Sequence, residues 1–349
     1  MKNFYKNKRI LITGNTGFKG SWLTFILNRL GSKIVGYSNS IVSKPNMFEV
    51  LNLKNEIVFI NEDIRDFKKL SSVFNKYKPE IVFHLAAQPL VRKSYKDPLY
   101  TISTNVEGSL NVLECSRLSK SIKSLVYVTS DKCYENQEWI WSYRESDRIG
   151  GDDPYSSSKA AAENIFKGYY SSFLKNKIGA ASVRAGNVIG GGDWSADRLI
   201  PDCIRAIQKE KIIILRNPKS TRPWQHVLDP LFGYILLAFH LFHDKKKFSG
   251  SWNFGPQYNK IYDVKKITNI LCKEFNYNKK IICKKEKIKE TNLLSLNCDK
   301  AIQLMNWRTL LDPQKSIEFT CDWYKDFFLK RDMRNRTLKQ VSFFLDNYL

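Results

Sequence analysis

The sequence predicts an α/β protein: a doubly wound parallel sheet followed by a smaller α/β lobe. Three observations predict it. Short apolar runs alternate with helix-period segments through the first half of the chain, the pattern of a parallel sheet covered by helices on both faces. The first apolar run feeds directly into closely spaced glycines and then a helix, the order a nucleotide-binding turn requires. Beyond about Gly190 the alternation becomes irregular, which suits a second lobe packed on the carboxyl edge of the sheet.

Taken in order, Arg9-Ile-Leu-Ile-Thr13 is a short apolar run and reads as a buried strand. Gly14-Asn-Thr-Gly17-Phe-Lys-Gly20 follows. From Ser21 to Gly31, Trp22, Leu23, Phe25, Ile26, Leu27 and Leu30 recur at helical spacing, and Gly31 is a stop signal. Lys33 to Ser38 is a second strand. Ile57 to Ile60 is a third, closed by Asn61-Glu-Asp63, and Ile81 to Ala87 is a fourth. A helix is expected from about Pro98 to Ser116, and Ser124 to Thr129 is a fifth strand. Asp153 and Pro154 read as the N-cap and first residue of the next helix. Ala180 to Arg184 is a sixth strand. Further on, Ile212 to Leu215 and Ser251 to Phe254 are short strand candidates among helices near 200–210, 228–243, 262–275 and 313–328. Residues 1–188 are thus expected to form a Rossmann-type dinucleotide domain, completed by part of 225–256. Residues 189–349 are expected to form mainly a substrate lobe.

Composition excludes several classes. No apolar run is long enough to span a bilayer. The N-terminal segment has no signal-type apolar stretch, so a cytoplasmic location is the default expectation. The seven cysteines are scattered and contain no Cys-x-x-Cys, which argues against a disulfide framework or zinc site and suits a reducing compartment. The four histidines show no metal-ligand spacing, so no metal is expected. A net charge of +23 would suit nucleic acid, but the lysines are spread evenly and no nucleic-acid-binding motif accompanies them. An anionic small substrate suits the same positive field.

Gly14, Gly17 and Gly20 form Gly-x-x-Gly-x-x-Gly at a strand-to-helix turn. Such glycines let backbone N–H groups approach a pyrophosphate at a helix N-terminus; a plain strand-to-helix turn is the simpler alternative. The second strand ends in Tyr37-Ser-Asn39, with neither the acid that selects NAD nor an arginine for NADP. Asp63 is a candidate for the adenine amino group, or else a turn cap.

The most informative feature is Asp153-Pro-Tyr-Ser-Ser-Ser-Lys159. Tyr155 and Lys159 share one helix face, where an ammonium favours a phenolate and so a general base. Tyr262 and Lys266 repeat the spacing without supporting context. Thr129-Ser-Asp-Lys132 lies where the fifth strand ends, at the ligand-binding edge of an open parallel sheet. Ser130, Asp131 and Lys132 are therefore catalytic candidates, against the alternative of a solvated turn.

With His84-Leu-Ala-Ala-Gln-Pro-Leu-Val91, Arg184-Ala-Gly-Asn-Val188, Gly191-Gly-Asp-Trp194 and Arg222-Pro-Trp-Gln-His226, the whole chain resembles the extended short-chain dehydrogenase/reductases, specifically the nucleotide-sugar 4,6-dehydratases. Most of that family carry Asp-Glu where this chain has Asp131-Lys132. The CDP-glucose branch resembles this chain in having lysine. The resemblance implies NAD as cofactor, held by Gly14, Thr16, Gly17, Phe18, Gly20, Asp63, Ile64, Leu85, Ala86, Ala87, Tyr155 and Lys159. It implies CDP-glucose as substrate, gripped by Gln88, Asn187, Arg198, Arg222 and Glu290, and a homodimer or homotetramer serving deoxysugar synthesis. The implied reaction is redox-neutral: hydride leaves C4 while Tyr155 takes the hydroxyl proton, water is lost across C5 and C6, and hydride returns to C6. Ser130 would bond the reacting oxygen, Asp131 would act as acid and Lys132 as base. A lysine beside Asp131 opposes the protonation an acid needs. Two alternatives stay open: an NAD(P)-dependent epimerase or reductase of another nucleotide sugar, and a non-enzymatic dinucleotide-sensing, nucleic-acid-binding protein.

Overall fold

The computed structural model describes residues 2–41, 43–257, 262–284 and 293–348. Seven strands form one sheet: β1 (Arg9–Thr13), β2 (Lys33–Tyr37), β3 (Val58–Ile60), β4 (Ile81–His84), β5 (Ser124–Val128), β6 (Gly179–Ala185) and β7 (Gly250–Phe254). Their order is β7-β6-β5-β4-β1-β2-β3, and every neighbouring pair is parallel. β1, β4 and β6 are apolar on both faces because helices cover both, as a parallel sheet demands.

Nine longer helices are α1 (Phe18–Arg29), α2 (Phe67–Tyr77), α3 (Gly108–Leu118), α4 (Pro154–Tyr169), α5 (Leu199–Gln208), α6 (Leu228–His243), α7 (Val264–Glu274), α8 (Pro313–Phe328) and α9 (Met333–Tyr348). Side chains of α2, α3 and α4 join Leu11, Val82, Leu125 and Tyr127 in one core. Those of α1, α6, α8 and α9 join Ile10, Ile12, Phe83 and Val126 in a second, larger core on the opposite face. Successive residues of one strand therefore serve different cores, the two-residue period of a strand made visible.

The strand order reverses direction between β1 and β4. The turn after β1 and the loop after β4 thus lie side by side at the carboxyl edge, the switch point where such sheets bind ligands. Thr13 faces His84 across this pair, with Oγ1 at 2.7 Å from His84 Nδ1. Burial drives the His84 imidazole down to about 3, so it serves as a neutral hydrogen-bonding group there.

Three differences from expectation have physical causes. The segment Ser251–Phe254 is the edge strand of the main sheet, paired with β6 through Trp252 and Val183, rather than part of a separate small sheet. The helix expected near 98–116 extends to Leu118 and contains a π-type turn, Ser103–Glu107, between Pro98–Ile102 and α3. Helix α9 has no counterpart in the sequence reading. It is held by tertiary partners: Trp323 Nε1 donates to Thr337 Oγ1 at 3.0 Å, and Phe344 stacks on Phe232.

The irregular lobe is tied together by three two-stranded pairs. Val188–Ile189 pairs with Gln225–His226, Thr221–Arg222 with Tyr262–Asp263, and Ile213–Leu215 with Ile281–Cys283. Asp229, in the first turn of α6, is fully buried and accepts the Leu310 N–H at 2.7 Å, fixing the approach to α8. Among the described residues no helix is long and apolar enough to cross a membrane, and no cluster of metal-ligating side chains occurs. All seven cysteines are free.

Candidate active site

A single cleft of about 1180 Å³ runs along the carboxyl edge of the sheet. Its floor begins at the glycine turn. Gly14 has φ +74°, and a Cβ there would stand 2.6 Å from the Ala86 nitrogen. A Cβ on Gly20 would stand 2.1 Å from the Gly14 carbonyl oxygen. No side chain caps α1 at Gly17, so the first-turn N–H groups are left for a ligand. Thr16, Phe18, Ile64, Leu85 and Ala87 line the same cleft. This is the shape and polarity a dinucleotide pyrophosphate needs.

Asp63 lines the cleft too, and it also caps a turn. Its Oδ1 accepts the Arg65 N–H at 2.9 Å, and Asn39 donates to Oδ2 at 2.8 Å. Burial pushes its carboxyl up, but hydrogen bonds from Arg65 and Asn39 and the Arg65 charge outweigh this and hold it below the usual range. Ser38, Asn39 and Ser40 stand where an acidic ribose partner would be.

Ser130, Asp131 and Lys132 leave the end of β5 in a single 3₁₀ turn, capped by the Ser130 hydroxyl on the Lys132 N–H at 3.2 Å. Ser130 also donates to Asp131 Oδ1 at 2.9 Å. Opposite them, Asp153 caps α4 by accepting from the Tyr155 and Ser156 N–H groups at 2.9 and 3.0 Å. Pro154 opens the helix as expected. Tyr155 and Lys159 are 7% and 5% exposed and line the cleft with the Ser130 turn.

Burial pushes the Tyr155 phenol up to about 12; hydrogen bonding with Ser130 and the charge of Arg198 pull against that rise. The sequence reading gave the lowering role to Lys159. In the structure the leading lowering influences are Ser130 and Arg198, while Lys159 is itself drawn down by burial to about 8.

A polar core beneath the cleft fixes α4 against the sheet. Glu163 Oε2 accepts from Arg184 Nη2 at 2.7 Å and from Ser182 Oγ at 2.8 Å, and Thr129 donates to Oε1. Arg184 also reaches Tyr134 Oη at 2.8 Å and the Glu145 carbonyl at 3.1 Å. The long loop between the Ser130 turn and α4 is tied to the far end of the chain. Tyr143 N–H donates to the Ser295 carbonyl at 2.9 Å, the Asn297 N–H donates back at 2.8 Å, and Asn136 Nδ2 donates to the Leu293 carbonyl at 3.2 Å.

The substrate candidates separate. Asn187 and Arg198 line the cleft, and Arg198 Nη1 pairs with Asp193 at 2.9 Å. Gln88 lines it as well, but its amide is occupied within its own loop: Oε1 accepts the Leu90 N–H, and Nε2 donates to the Leu90 carbonyl and Thr101. That is a scaffolding role where a substrate contact was expected. Arg222 lies in the strand pair with Tyr262 and does not line the cleft; Glu290 falls outside the described residues. Tyr262 and Lys266 also lie off the cleft, one in a strand and the other in α7.

Two residues that the sequence reading did not assign complete the site. Asn105, in the π-type turn, accepts from the Gln88 N–H at 2.7 Å and donates to Ser158 Oγ at 2.9 Å, bracing the β4 loop against α4. π-type turns are frequent at functional sites. Lys19 projects into the cleft from the glycine turn. Its signal was a charged residue between Phe18 and Gly20, where the helix start is otherwise enclosed.

A family model described as GDP-mannose 4,6 dehydratase matches residues 11–312. The chain belongs to that family of nucleotide-sugar 4,6-dehydratases. Within the family it is 42% identical to CDP-glucose 4,6-dehydratase of Salmonella typhimurium, over 98% of this chain and 97% of the relative. It is 30% identical to dTDP-D-glucose 4,6-dehydratase of Dictyostelium discoideum, over 75% of this chain and 62% of that one. Two solved structures share the fold. UDP-glucose 4-epimerase of Thermotoga maritima, with UDP-glucose, has a TM-score of 0.81 at 21% identity, covering 92% of this chain and 99% of its own. dTDP-glucose 4,6-dehydratase of Bacillus anthracis, in complex with NAD, has a TM-score of 0.77 at 21% identity, covering 91% and 97%. The dehydratase family accounts for the glycine turn and the Tyr155–Lys159 helix. Asp131-Lys132 is the feature that sets this member apart from most of the family.

Proposed function

We propose that the chain converts CDP-glucose to CDP-4-keto-6-deoxyglucose by NAD-dependent loss of water. One observation carries the reading: Ser130, Asp131 and Lys132 meet Tyr155 and Lys159 in one cleft that begins at the glycine turn. The CDP-glucose 4,6-dehydratase of Salmonella typhimurium, matched along nearly its full length, supports the choice of nucleotide.

The glycine turn fits NAD, because side chains at Gly14 or Gly20 would fill the space a pyrophosphate takes. When bound, NAD supplies a reversible hydride acceptor. Lys159 holds the nicotinamide ribose, and Thr16, Ile64 and Ala86 line the remainder of its path. Tyr155 takes the C4 hydroxyl proton as hydride leaves that carbon, while Ser130 hydrogen-bonds the C4 oxygen. The resulting ketone acidifies C5–H. Lys132 removes that proton, and Asp131 protonates the C6 oxygen as it leaves as water. Return of hydride to C6 closes the cycle without net redox change. Asn187 and Arg198 grip the nucleotide end, where an arginine fork matches a phosphate.

The free cysteines suit a reducing, cytoplasmic setting. The exposed apolar side chains Leu99, Ile102 and Phe173 support a homodimer or homotetramer.

Mass spectrometry tests the reaction. Incubation of CDP-glucose with enzyme and NAD is expected to give a product lighter by one water with no net reduction of the cofactor. A product of unchanged mass, or stoichiometric cofactor reduction, would identify an epimerase or a reductase instead.

A further inference from the structure

Three polar groups converge at the inner wall of the cleft without protein partners of their own. Lys19 Nζ makes no hydrogen bond or ion pair among the described residues, and it stands 6.0 Å from the centre of the Tyr234 ring. Tyr234 is fully buried, and its hydroxyl has no hydrogen-bond partner. Asp131 is 4% exposed; Ser130 occupies Oδ1, and Oδ2 faces the Gly186 side, where a Cβ would stand 3.3 Å away. Burial draws the Lys19 ammonium down to about 8, Arg198 and Lys159 act in the same direction, and Asp131 opposes them. Those three charges come from the start of α5, from α4 and from the turn after β5. Helix α6 contributes Tyr234, whose own hydroxyl lies in the field of Asp131. An ammonium this enclosed and without a counter-ion in contact is costly unless its proton has work to do.

We infer that Lys19 is the proton reservoir for Asp131, a positioning residue that supplies the acid of the dehydration step. This rests on the dehydratase reading, and it answers the difficulty that a carboxylate among lysines is poorly placed to be an acid. The proton moves from Lys19 Nζ to Asp131 Oδ2, breaking an N–H bond and forming an O–H bond, with Tyr234 Oη as the group between them. Asp131 passes the proton to the C6 oxygen, which leaves as water. The proton removed from C5 is returned to Lys19, so no proton is gained or lost overall. A donor that titrates near the working pH suits this exchange better than either a free carboxyl or an ordinary lysine.

The test compares Lys19→Met and Lys19→Arg with the natural enzyme on two substrates. CDP-glucose requires the whole cycle. CDP-6-deoxyglucose can be oxidised at C4 but has no C6 hydroxyl to lose, so it reports the first step through the absorbance of the reduced nicotinamide. Both variants are expected to dehydrate CDP-glucose at least about tenfold more slowly, yet to oxidise the 6-deoxy substrate and bind NADH as the natural enzyme does. The alkaline limb of the natural kcat profile near about pH 8 is expected to disappear in both. Arginine keeps the charge but does not release its proton, so full activity of Lys19→Arg would overturn the relay. Equal loss in both reactions, with raised KM or weakened NADH binding, would make Lys19 a ligand contact and overturn it too. Should the natural enzyme fail to dehydrate CDP-glucose, the dehydratase reading fails first and separately.

Discussion

Replacing Asp229 by asparagine separates a proton from a shape at one buried position. The Asp229 carboxyl is fully buried; Oδ1 accepts the Leu310 N–H at 2.7 Å, and Oδ2 meets no donor among the described residues. Burial pushes it up to about 8, against backbone hydrogen bonds from Leu310, Leu311 and His226. An unfolded aspartate titrates at about 3.9. Between these values the folded chain keeps a proton that the unfolded chain has released. Stability therefore falls as pH rises from about 4 to about 8, and this contribution levels off above that window. Each pKa unit corresponds to about 1.4 kcal/mol. From about pH 6 to about pH 9, the natural protein should lose on the order of 3 kcal/mol relative to Asp229→Asn, which cannot ionise. For a chain of this size that is roughly 4–6 °C in Tm. Calorimetric melting of both proteins across the range gives the difference curve. The difference is needed because Lys19 and Lys159, both drawn to about 8, contribute in the opposite direction in both proteins. A difference that does not change with pH would refute a buried proton at Asp229.

Tyr155→Phe should slow the C4 oxidation by about 10²–10⁴-fold, read as single-turnover reduction of the cofactor, and near-normal turnover would show that another group takes the proton. Gly20→Ala should abolish NAD binding by calorimetry while leaving a folded protein by circular dichroism, because the new Cβ would lie 2.1 Å from the Gly14 carbonyl oxygen. Arg184→Met leaves Glu163 buried and unpaired and should cost about 3–5 kcal/mol in denaturant unfolding, whereas removing both partners together should restore most of that loss. The ribose position after Tyr37 lacks a carboxylate, and one missing charge-assisted hydrogen bond is worth about 1.5–3 kcal/mol. NAD should therefore bind roughly ten- to a hundredfold more weakly than with that acid present, leaving purified protein partly empty. NADH, with a neutral ring beside Lys132, should bind more tightly than NAD. Equal affinities with full NAD occupancy would refute both parts.

What was legible in the sequence is what local chemistry decides. Gly14, Gly17 and Gly20 are needed by close backbone approaches within a few residues, and Asp153-Pro154 caps and starts a helix through its own N–H groups. The Tyr155–Lys159 pair followed from that helix. What could not be read depends on partners distant in sequence. Asn105 matters because it touches Gln88 and Ser158, and Gln88 is diverted from substrate because its own loop uses its amide. Helix α9 is weakly patterned and is held by Trp323 and Phe232. The influence of Arg198 on Tyr155 comes from a different lobe of the chain, so the simple Lys159 argument missed it.

The loop that separates the Ser130 turn from α4 has a history as well as a position. Its strap, residues 293–297, is made almost last, whereas the glycine turn leaves the ribosome first. Domains fold during synthesis from the N-terminus, at about 5–20 residues per second. A growing chain therefore owns a dinucleotide cradle well before Tyr143 meets Ser295 and Asn297 and the loop across the cleft is held. Cofactor affinity is acquired early in the life of each molecule, and the ability to seat a sugar beside it arrives only as translation nears its end.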